Sequence, residues 1–421
     1  MYNIPMRITI LTYGSRGDVQ PFLALALGLM EAGHHVRLAA PARFRELVES
    51  HQVEFFSLVG DPEELSKRLN NAGYNFIRTG LELLKHAIDI GAEMFGQMEE
   101  ACQDAELIVH SFAHAFEGHA LAREKQIPDV HVQTFPLFSA TGDYPNVTFP
   151  DLKFPSLNRL SHNLSQTFTW WSSKFGFEQV QCRGALTNHK LYWPFAADRQ
   201  RPSTPILCEW SPTILPASND WPLNVHLTGY FFLPVEKAFE PPSALAEFLQ
   251  AGIPPICITF GSMVNRSAEK IYNVIRETLK QTGQRGVILS GWGGSCSSDD
   301  ENIFYLEAAP HAWLLPRCEL VIHHGGAGTT ATGLRAGIPG IVVPFTADQP
   351  FWGRRVASIG AGPDPILVKD LSAPKLVAAI QVARSAAMKS RAQTIGQEIS
   401  MQSGVGTAVK LIEQHVNKFY K

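Results

Sequence analysis

The sequence predicts an α/β protein made of two Rossmann-like, doubly wound parallel-sheet domains. Short apolar segments alternate with longer amphipathic segments along both halves of the chain, which is typical of parallel sheets covered by helices on both faces. The 421 residues are too many for one ordinary core and suit two domains of about 200 residues each. Each half also opens with a strand that ends in Gly-Ser, at residues 14–15 and 261–262, which predicts two similar domains facing each other across a cleft.

The strands of the first half are predicted from short segments rich in β-branched residues. They are Arg7–Tyr13, His34–Ala40, Val53–Val59, Glu106–Phe112 and Asp129–Phe135. The stretch GSRGDVQP follows the first strand, and Pro21 suits the first turn of a helix that Gly33 ends, so this stretch is a strand–loop–helix corner. Between Phe149 and Arg201 the alternation gives way to aromatic and polar residues, which form either helical packing or one wall of an apolar ligand site.

The second half repeats the pattern after a segment rich in proline and charge that begins at Gly229. We assign residues 1–233 to an N-terminal domain, 234–250 to a linker and 251–421 to a C-terminal domain. The final helix-like segment, Gly406–Tyr420, can pack on either domain. The predicted strands of the second half are Pro255–Ser262, Arg285–Trp292, Ile303–Ala309, Glu319–Gly326 and Gly340–Phe345.

Charge and cysteine content restrict the class of protein. The net charge of -3 and the pI near 6.6 argue against nucleic acid as the main partner. The six cysteines are scattered without metal-ligand spacing, which indicates reduced thiols of an intracellular protein. No signal-like apolar segment precedes Arg7, and no apolar run approaches the roughly 20 residues of a membrane-spanning helix. These features predict a cytoplasmic protein and leave peripheral membrane contact open.

The segment from His323 to Arg355 carries the richest set of candidate ligand-binding residues. It starts where a predicted strand ends in two histidines, passes a glycine-rich turn and enters a helix at Thr329 and Thr330. A helix N-terminus approached by glycine backbone suits a diphosphate, with an ordinary tight turn as the alternative. His324 and Thr329 can each donate a hydrogen bond to phosphate, or serve as packing and cap residues. Asp348 and Gln349 follow another predicted strand and suit sugar hydroxyls.

Several motifs are absent from the sequence. It contains no GxGxxG, no GxxxxGK[ST], no HExxH and no GxSxG, which disfavours a dinucleotide redox cofactor, a P-loop, a zinc protease site and a nucleophile elbow. No two aspartates lie two positions apart, so the D-x-D metal clamp is absent as well. Without a metal, the charge of a diphosphate must be met by backbone dipoles and hydrogen bonds.

Five segments of the chain carry a resemblance to a known family. They are GSRGDVQPFLALALGL, GDPEEL, FGSM, GWGG and LPRCELVIHHGGAGTTATGLRAGIPGIVVPFTADQPFWGRRV. Together they resemble the two-domain GT-B glycosyltransferases of the UDP-sugar class, and most closely the UDP-glucose:sterol glucosyltransferases and their bacterial relatives. The resemblance covers nearly the whole chain, and its last segment is long and specific.

The resemblance implies UDP-glucose as donor substrate, with no cofactor and no metal. Plant enzymes of this fold carry HCGWNS where this chain has His324 to Thr329, but their nearby glutamate is replaced here by Thr332, which removes one sugar contact. The implied donor residues are Gly261 and Ser262 near the diphosphate, Trp292, Pro310, His311 and Trp313 near the uracil, His324 with the turn of Gly325, Gly326, Gly328, Thr329 and Thr330 on the diphosphate, and Asp348 and Gln349 on the sugar.

The resemblance also implies that Asp18 is the catalytic base. The plant enzymes have a histidine after a glycine in this loop, whereas the sterol and glycopeptide glucosyltransferases have an aspartate. Asp18 would take the proton of the acceptor hydroxyl late in an inverting transfer, and the helix N-terminus favours its ionised form. The alternative for Asp18 is an ordinary helix cap. The residues that support this loop are Gly14, Ser15, Arg16 and Gly17.

The acceptor is less narrowly defined than the donor. Phe135, Pro136 and Phe138 lie in a segment that resembles the acceptor side of the sterol enzymes, and they form either an apolar pocket or ordinary core. A sterol, a hopanoid-like lipid, a polyketide and a peptide all remain as acceptors. Transfer of rhamnose or an amino sugar, an epimerase, and a non-catalytic nucleotide-sugar-binding protein remain as alternative functions.

Overall fold

The computed structural model describes residues 4–65, 76–150, 152–184, 186, 188–195, 202–234, 239–261, 268–291 and 300–421. The chain divides into two compact units, which we call unit 1 and unit 2. Unit 1 comprises Met1–Pro212, Pro216–Leu233 and Ser403–Lys421, and unit 2 comprises Thr213–Leu215 and Pro234–Gln402. The C-terminal segment therefore belongs to the same unit as the N-terminal half of the chain.

Each unit contains one parallel sheet, which confirms the predicted α/β class with two doubly wound sheets. The strands of unit 1 are β1 (Arg7–Leu11), β2 (His35–Pro41), β3 (Glu54–Leu58), β4 (Leu107–His110), β5 (Asp129–Gln133), β6 (Ile206–Cys208) and β7 (Val225–Leu227), in the order β3-β2-β1-β4-β5-β6-β7. Those of unit 2 are β8 (Ile256–Thr259), β9 (Gly286–Leu289), β10 (Ile303–Leu306), β11 (Leu320–His323) and β12 (Gly340–Val342), in the order β10-β9-β8-β11-β12.

The described helices connect and cover these strands. In chain order they are α1 (Arg16–Glu31), α2 (Arg45–Glu49), α3 (Phe76–Ala101), α4 (Ala115–Lys125), α5 (Pro155–Cys182), α6 (Ser243–Gln250), α7 (Ala268–Thr282), α8 (His311–Leu314), α9 (Ala327–Arg335), α10 (Gln349–Ser358), α11 (Ala373–Ala383), α12 (Ala386–Ser400) and α13 (Gly404–Phe419). Within this described set, no helix has both the length and the hydropathy to cross a membrane.

The core of unit 1 forms because β1 and α1 are both apolar on their inner faces. Ile8 and Ile10 of β1 pack with Phe22 and Leu25 of α1, and all four side chains are at most 1% exposed. Helix α13 packs on α1 at Gly28, where a Cβ atom would lie 2.2 Å from the Cγ1 of Val405. Glycine at this position therefore lets the two helices approach closely.

Two parts of the fold differ from the sequence expectation. The strands β6 and β7 were not predicted. Each has three residues, and unlike the equally short β12, which lies in a predicted apolar run of six residues, neither lies in a long apolar run. The stretch between Phe149 and Arg201, for which helical packing was one of two interpretations and no helix bounds were predicted, contains the 28-residue helix α5. Helix α5 carries apolar residues on two opposite faces and many serines and threonines, so its sequence lacks a single apolar stripe.

The reversal of strand order fixes where ligands can bind in each unit. In unit 1 the order reverses between β1 and β4, and in unit 2 it reverses between β8 and β11. Loops that leave the carboxyl ends of such neighbouring strands diverge and leave a crevice, which is the usual ligand site of an open parallel sheet. The expected ligand-binding loops are therefore those after β1 and β4 in unit 1, and those after β8 and β11 in unit 2.

A buried carboxylate joins the strands on one side of the unit 1 reversal. The Oδ2 atom of Asp129, on β5, accepts hydrogen bonds from His110 Nε2 at 3.0 Å and His119 Nδ1 at 2.9 Å. Thr204 donates its hydroxyl to the same carboxylate at 3.2 Å. Burial raises the pKa of Asp129, but the two histidines outweigh that effect, so its pKa lies below the ordinary range and the group stays ionised.

We predict that Asp129→Asn lowers the free energy of unfolding by about 3 kcal/mol, because the asparagine cannot satisfy two buried N–H donors and a hydroxyl as a carboxylate does. Urea denaturation at neutral pH measures this change. Asp104→Asn is the matched control, since Asp104 pairs with Arg37 at 2.7 Å but its side chain is 42% exposed, and its loss should cost less than about 1 kcal/mol. Equal costs for the two variants would contradict the assignment.

Candidate active site

The loop after β1 forms a tight corner that leads into α1. Gly14 has a φ of +138°, and Ser15 is the N-cap of α1. Asp18 lies three residues into the helix, and its Oδ2 atom accepts hydrogen bonds from the backbone N–H of Ser15 at 2.8 Å and from the Ser15 hydroxyl at 2.9 Å. A Cβ atom on Gly14 would lie 2.4 Å from this same oxygen, so the corner depends on a glycine there. Arg16 and Gly17 are exposed on the outer side of the corner.

The Asp18 carboxyl has one oxygen engaged and one oxygen available. Both hydrogen bonds from Ser15 go to Oδ2, and no donor among the described residues reaches Oδ1. Burial raises the pKa of Asp18 above its ordinary range, and the two bonds from Ser15 offset part of that shift. The carboxylate is therefore more basic than a solvated aspartate, and Oδ1 can accept a proton.

The loop after β4 brings two further titratable groups that were not predicted from the sequence as site residues. The Nε2 atom of His114 is buried and has no hydrogen-bond partner in the described part of the chain, and burial lowers the pKa of its imidazole to about 3. Burial raises the pKa of Glu117, in the first turn of α4, to about 7. Their position after a strand at the order reversal was the signal in the sequence that could have identified them.

The three predicted acceptor residues lie after β5 and differ in exposure. Phe135 is half-buried and packs on Phe112 with ring centroids 4.9 Å apart, whereas Pro136 and Phe138 are buried. The ring of Phe138 lies 4.7 Å from that of Phe195 and 5.2 Å from that of His131. Phe138 therefore belongs to an aromatic cluster, whose other members are Phe116, Trp170 and Trp193.

In unit 2, the loops after β8 and β11 meet at His324. A Cβ atom on Gly261, which follows β8, would lie 3.4 Å from the His324 ring. A Cβ atom on Gly326 would lie 2.5 Å from His324 Nε2. Gly326 is also the N-cap of α9, so His324 Nε2 lies beside the N-terminus of that helix. An imidazole N–H and the free backbone N–H groups of a helix N-terminus together form a site for an anion.

The two adjacent histidines have different surroundings. His323 is 1% exposed, and its Nδ1 atom accepts a hydrogen bond from the backbone N–H of Gly325 at 3.1 Å. His324 is half-buried, and burial, together with the nearby His311, lowers its pKa to about 4. At neutral pH His324 is therefore uncharged and has a single N–H, for which the Thr259 carbonyl is one acceptor within the protein, while His323 holds the turn.

The other predicted diphosphate residues lie in the first turn of α9, some facing solvent and one facing the interior. Gly328 is exposed and Thr329 is half-buried. Thr330 is 2% exposed, and its hydroxyl has no partner among the described residues. It lines a small internal cavity together with His323, Leu334 and Gly340. The structure thus brings Gly261, His324 and Gly326 together and directs the Thr330 side chain inward.

The predicted sugar-binding pair lies at the start of α10. Asp348 is the N-cap of this helix, and Gln349 is 5% exposed. The amide oxygen of Gln349 accepts hydrogen bonds from the backbone N–H groups of Phe345 at 2.8 Å and Thr346 at 3.1 Å, which leaves its NH2 group for a ligand. Ala347, just before the pair, has a φ of +57°, a left-handed conformation that costs an alanine about 1 kcal/mol.

The predicted uracil residues are only partly described. Trp313 is half-buried, with the Arg317 guanidinium 4.2 Å from the centroid of its ring and the Phe239 ring at 5.2 Å. His311 is the first residue of α8 and is half-buried. Ser262 and Trp292 lie outside the described residues. Within the described ranges, no three His, Cys, Asp or Glu side chains are grouped to hold a metal ion.

Two domain families match the chain. Residues 8–112 match the glycosyltransferase family 28 N-terminal domain, and residues 295–412 match the erythromycin biosynthesis protein CIII-like C-terminal domain. The first match contains the Asp18 corner, and the second contains His324, Gly326, Asp348 and Gln349.

Curated relatives match over nearly the full chain. The sterol 3-beta-glucosyltransferases UGT80A2 and UGT80B1 of Arabidopsis thaliana are each 34% identical, over 99% and 98% of this chain and 66% and 68% of their own. A sterol 3-beta-glucosyltransferase of Pichia angusta is 31% identical over 96% of this chain and 33% of its own length. The chain thus spans about two thirds of the plant relatives and about one third of the fungal one.

Solved structures share the fold at low sequence identity. The glycosyltransferase of kitacinnamycin matches with a TM-score of 0.71 and 18% identity, over 98% of this chain and 100% of its own. CalG4, the calicheamicin glycosyltransferase, matches with a TM-score of 0.66 and 16% identity, over 98% and 99%. These similarities confirm the predicted GT-B fold.

We predict that Gly14→Ala lowers the free energy of unfolding by about 1–3 kcal/mol, because its backbone is left-handed and the new methyl group would collide with the Asp18 carboxylate. Gly17→Ala is the matched control. A Cβ atom there would meet only the Ser15 hydroxyl at 3.6 Å, within a helix, so its effect should be neutral or slightly stabilising. Chemical denaturation compares the two variants, and equal stabilities would contradict this account of the corner.

Proposed function

The chain belongs to the family of sterol 3-beta-glucosyltransferases, and on this premise we propose that it transfers glucose from UDP-glucose to a hydroxyl of a sterol or a similarly hydrophobic acceptor. The reaction inverts the configuration of the anomeric carbon and needs no metal. We place it in the cytoplasm. The observation that carries the proposal is the Asp18 carboxyl, with one oxygen fixed by Ser15 and the other without a described donor.

Asp18 acts as the general base in this proposal. The acceptor oxygen forms a bond to the anomeric carbon, the bond from that carbon to the UDP oxygen breaks, and UDP leaves with the electron pair. The hydroxyl proton passes to Oδ1 of Asp18 as the new C–O bond forms and the hydroxyl becomes acidic. Ser15 keeps the carboxyl in one orientation through Oδ2, and burial makes it a stronger base than a solvated aspartate.

The donor is held by unit 2 in this proposal. His324 is neutral and gives one N–H to the diphosphate, beside the N-terminal N–H groups of α9 at Gly326, Gly328 and Thr329. These dipoles meet the charge that develops on UDP as it leaves. The NH2 group of Gln349 and the carboxylate of Asp348 bind the sugar hydroxyls. The uracil lies near His311 and Trp313, with Ser262 and Trp292 as further donor residues.

The acceptor lies against unit 1 in this proposal. The half-exposed Phe135 and its neighbour Phe112 provide an apolar surface next to the loops after β1 and β4, and Pro136 and Phe138 support it from the interior. Such a surface fits a fused-ring or long-chain alcohol better than a small polar one.

UDP release from a panel of UDP-sugars, with and without a sterol, tests the proposed reaction. Release from UDP-glucose that requires the sterol supports transfer. Release without any acceptor indicates hydrolysis or another reaction, release only with a different sugar corrects the donor, and no release with any pair overturns the proposal.

We predict that Asp18→Asn lowers kcat roughly 100-fold or more, because the amide keeps a hydrogen-bond acceptor for Ser15 but cannot take the proton. UDP-glucose affinity should stay unchanged. Since burial raises the pKa of Asp18, the acid limb of the wild-type pH profile should lie above the ordinary aspartate pKa, with activity lost as the pH falls through that limb.

The stability of the same variant provides the control. A buried carboxylate whose folded-state pKa is raised costs stability once the pH is above its pKa, so Asp18→Asn should be as stable as the wild type or more stable. Thermal unfolding at neutral pH measures this. Turnover near the wild-type rate in a folded Asp18→Asn protein would rule out Asp18 as the base.

We predict that His324→Ala weakens UDP binding about 10- to 100-fold, as expected for one lost hydrogen bond to a charged group, with little change in stability. His323→Ala is the paired variant, because His323 is buried and holds Gly325, so its main effect should be on the free energy of unfolding. Calorimetric titration with UDP and urea denaturation separate the two. The opposite pattern would exchange the proposed roles of the histidines.

A further inference from the structure

Helix α5 exposes a row of large apolar side chains along one face. At about 100° per residue, the six side chains of this row fall within an arc of about 80° and extend over about 27 Å of helix. They are 42–60% exposed and comprise Leu157, Leu160, Leu164, Phe168, Trp171 and Phe175. Phe154, the N-cap of α5, is 63% exposed and precedes the row. We call these six residues the exposed row.

The opposite face of α5 is fixed to the rest of unit 1. Asn158 donates to the Gly142 carbonyl at 2.8 Å, and His162 donates from Nε2 to the Tyr144 carbonyl at 3.1 Å. Phe177 packs edge-on against Phe95 of α3 with ring centroids 5.7 Å apart. Because polar and apolar contacts hold that face along most of its length, the exposed row is presented outward by a helix that is held in place.

The charge along this helix favours an anionic surface. Between Leu152 and Phe177 the chain has Lys153, Arg159 and Lys174 and no carboxylate, although the whole chain has a net charge of -3. Arg159 pairs with Asp220, and Lys174 lies 3.8 Å from Glu178 in an exposed pair that contributes little in water, so Lys153 and Lys174 are the cations that can face a surface. Lys174 lies 5.3 Å from the centroid of the Trp171 ring. An apolar ridge with a tryptophan and a neighbouring lysine is the arrangement in which the aromatic ring enters the interfacial region of a bilayer and the ammonium reaches the headgroups.

The shape of the exposed row suits a bilayer better than a second protein. It is a convex ridge one helix wide, and it exposes on the order of 600 Å². A stable protein interface needs about 800 Å² from each partner and close complementarity over a broad patch. A helix on a bilayer requires neither, because its apolar face inserts among acyl chains that adapt to it.

The same helix also contacts the aromatic cluster near the proposed acceptor site. Trp170 is next to Trp171, and the centroid of its ring lies 5.4 Å from that of Phe116 and 5.9 Å from that of Trp193. Phe116 in turn lies 6.2 Å from Phe138. One helix therefore carries an outward apolar row and, on a neighbouring face, a residue of the cluster to which Phe138 belongs.

We propose that the exposed row of α5 docks the protein onto the surface of an anionic lipid bilayer, lying along the surface with Trp171 and Phe175 in the interfacial region. Docking there would let a hydrophobic acceptor reach the protein from the bilayer rather than from water. Only the delivery of an acceptor from the bilayer rests on the proposed function. The docking itself requires no sugar transfer.

Flotation with lipid vesicles tests the proposal. The full chain should bind vesicles of phosphatidylcholine and phosphatidylglycerol in equal amounts, and bind phosphatidylcholine alone more weakly. Leu164→Ser with Trp171→Ser should reduce binding about tenfold or more, since two inserted side chains are lost. Val382→Ser with Met401→Ser is the matched control, because both residues are exposed apolar residues of unit 2, and it should bind as the wild type does.

A second measurement needs no polar substitution. Vesicles whose acyl chains carry bromine should quench part of the tryptophan fluorescence, and Trp171→Phe should remove most of the quenched part while binding is retained. The vesicle assays contain neither UDP-glucose nor sterol, so their outcome is separate from that of the transfer assay. Unchanged binding of the row variant would overturn the proposal. So would a wild type that binds no vesicles and instead forms a dimer, by sedimentation velocity, that the row variant abolishes.

Discussion

The buried charge of Asp129 is the interaction on which the arrangement of unit 1 depends. It lies on β5 and receives hydrogen bonds from β4 through His110, from α4 through His119 and from the segment before β6 through Thr204. The loops after β4 and β5 begin from these strands, and they carry His114 and Phe135. A carboxylate in this interior needs several donors to remain ionised, and those donors come from elements far apart in the sequence. The hydrogen bonds that stabilise this one buried charge therefore link β4, β5, α4 and the segment before β6 around the candidate site.

In the structure Asp18 can be both a helix cap and a catalytic base. From the sequence alone, a helix cap and a catalytic base are alternative roles for Asp18. The geometry gives each role its own oxygen, because Ser15 engages only Oδ2. The cap orients the carboxyl, and the orientation leaves Oδ1 for a proton. The requirement for glycine at position 14 follows from the same arrangement, because the carboxylate occupies the space that a side chain would need.

The parts of the fold that the sequence predicted are those with strong local patterns. Ten of the described strands were recognised from apolar runs, and the turn around His324 from its glycines, because both signals lie within a few neighbouring residues. Strands β6 and β7 lie outside any long apolar run, and their places in the sheet are set by pairing with β5 and with each other. Hydrogen bonds of the Asp129 network join residues up to 85 positions apart, and no local pattern encodes it. The bounds of helix α5 were not predicted for a different reason, since apolar residues on two faces cancel the periodic signal of one.

The left-handed backbone of Ala347 affects the entropy of ligand binding at the start of α10. A glycine there would relieve the strain, but it would also let the loop sample many more conformations. Alanine accepts a small enthalpic cost in exchange for a loop with fewer states. Asp348 and Gln349 are thereby held near one arrangement before a ligand arrives, and the entropy that would otherwise be lost on binding has already been lost during folding.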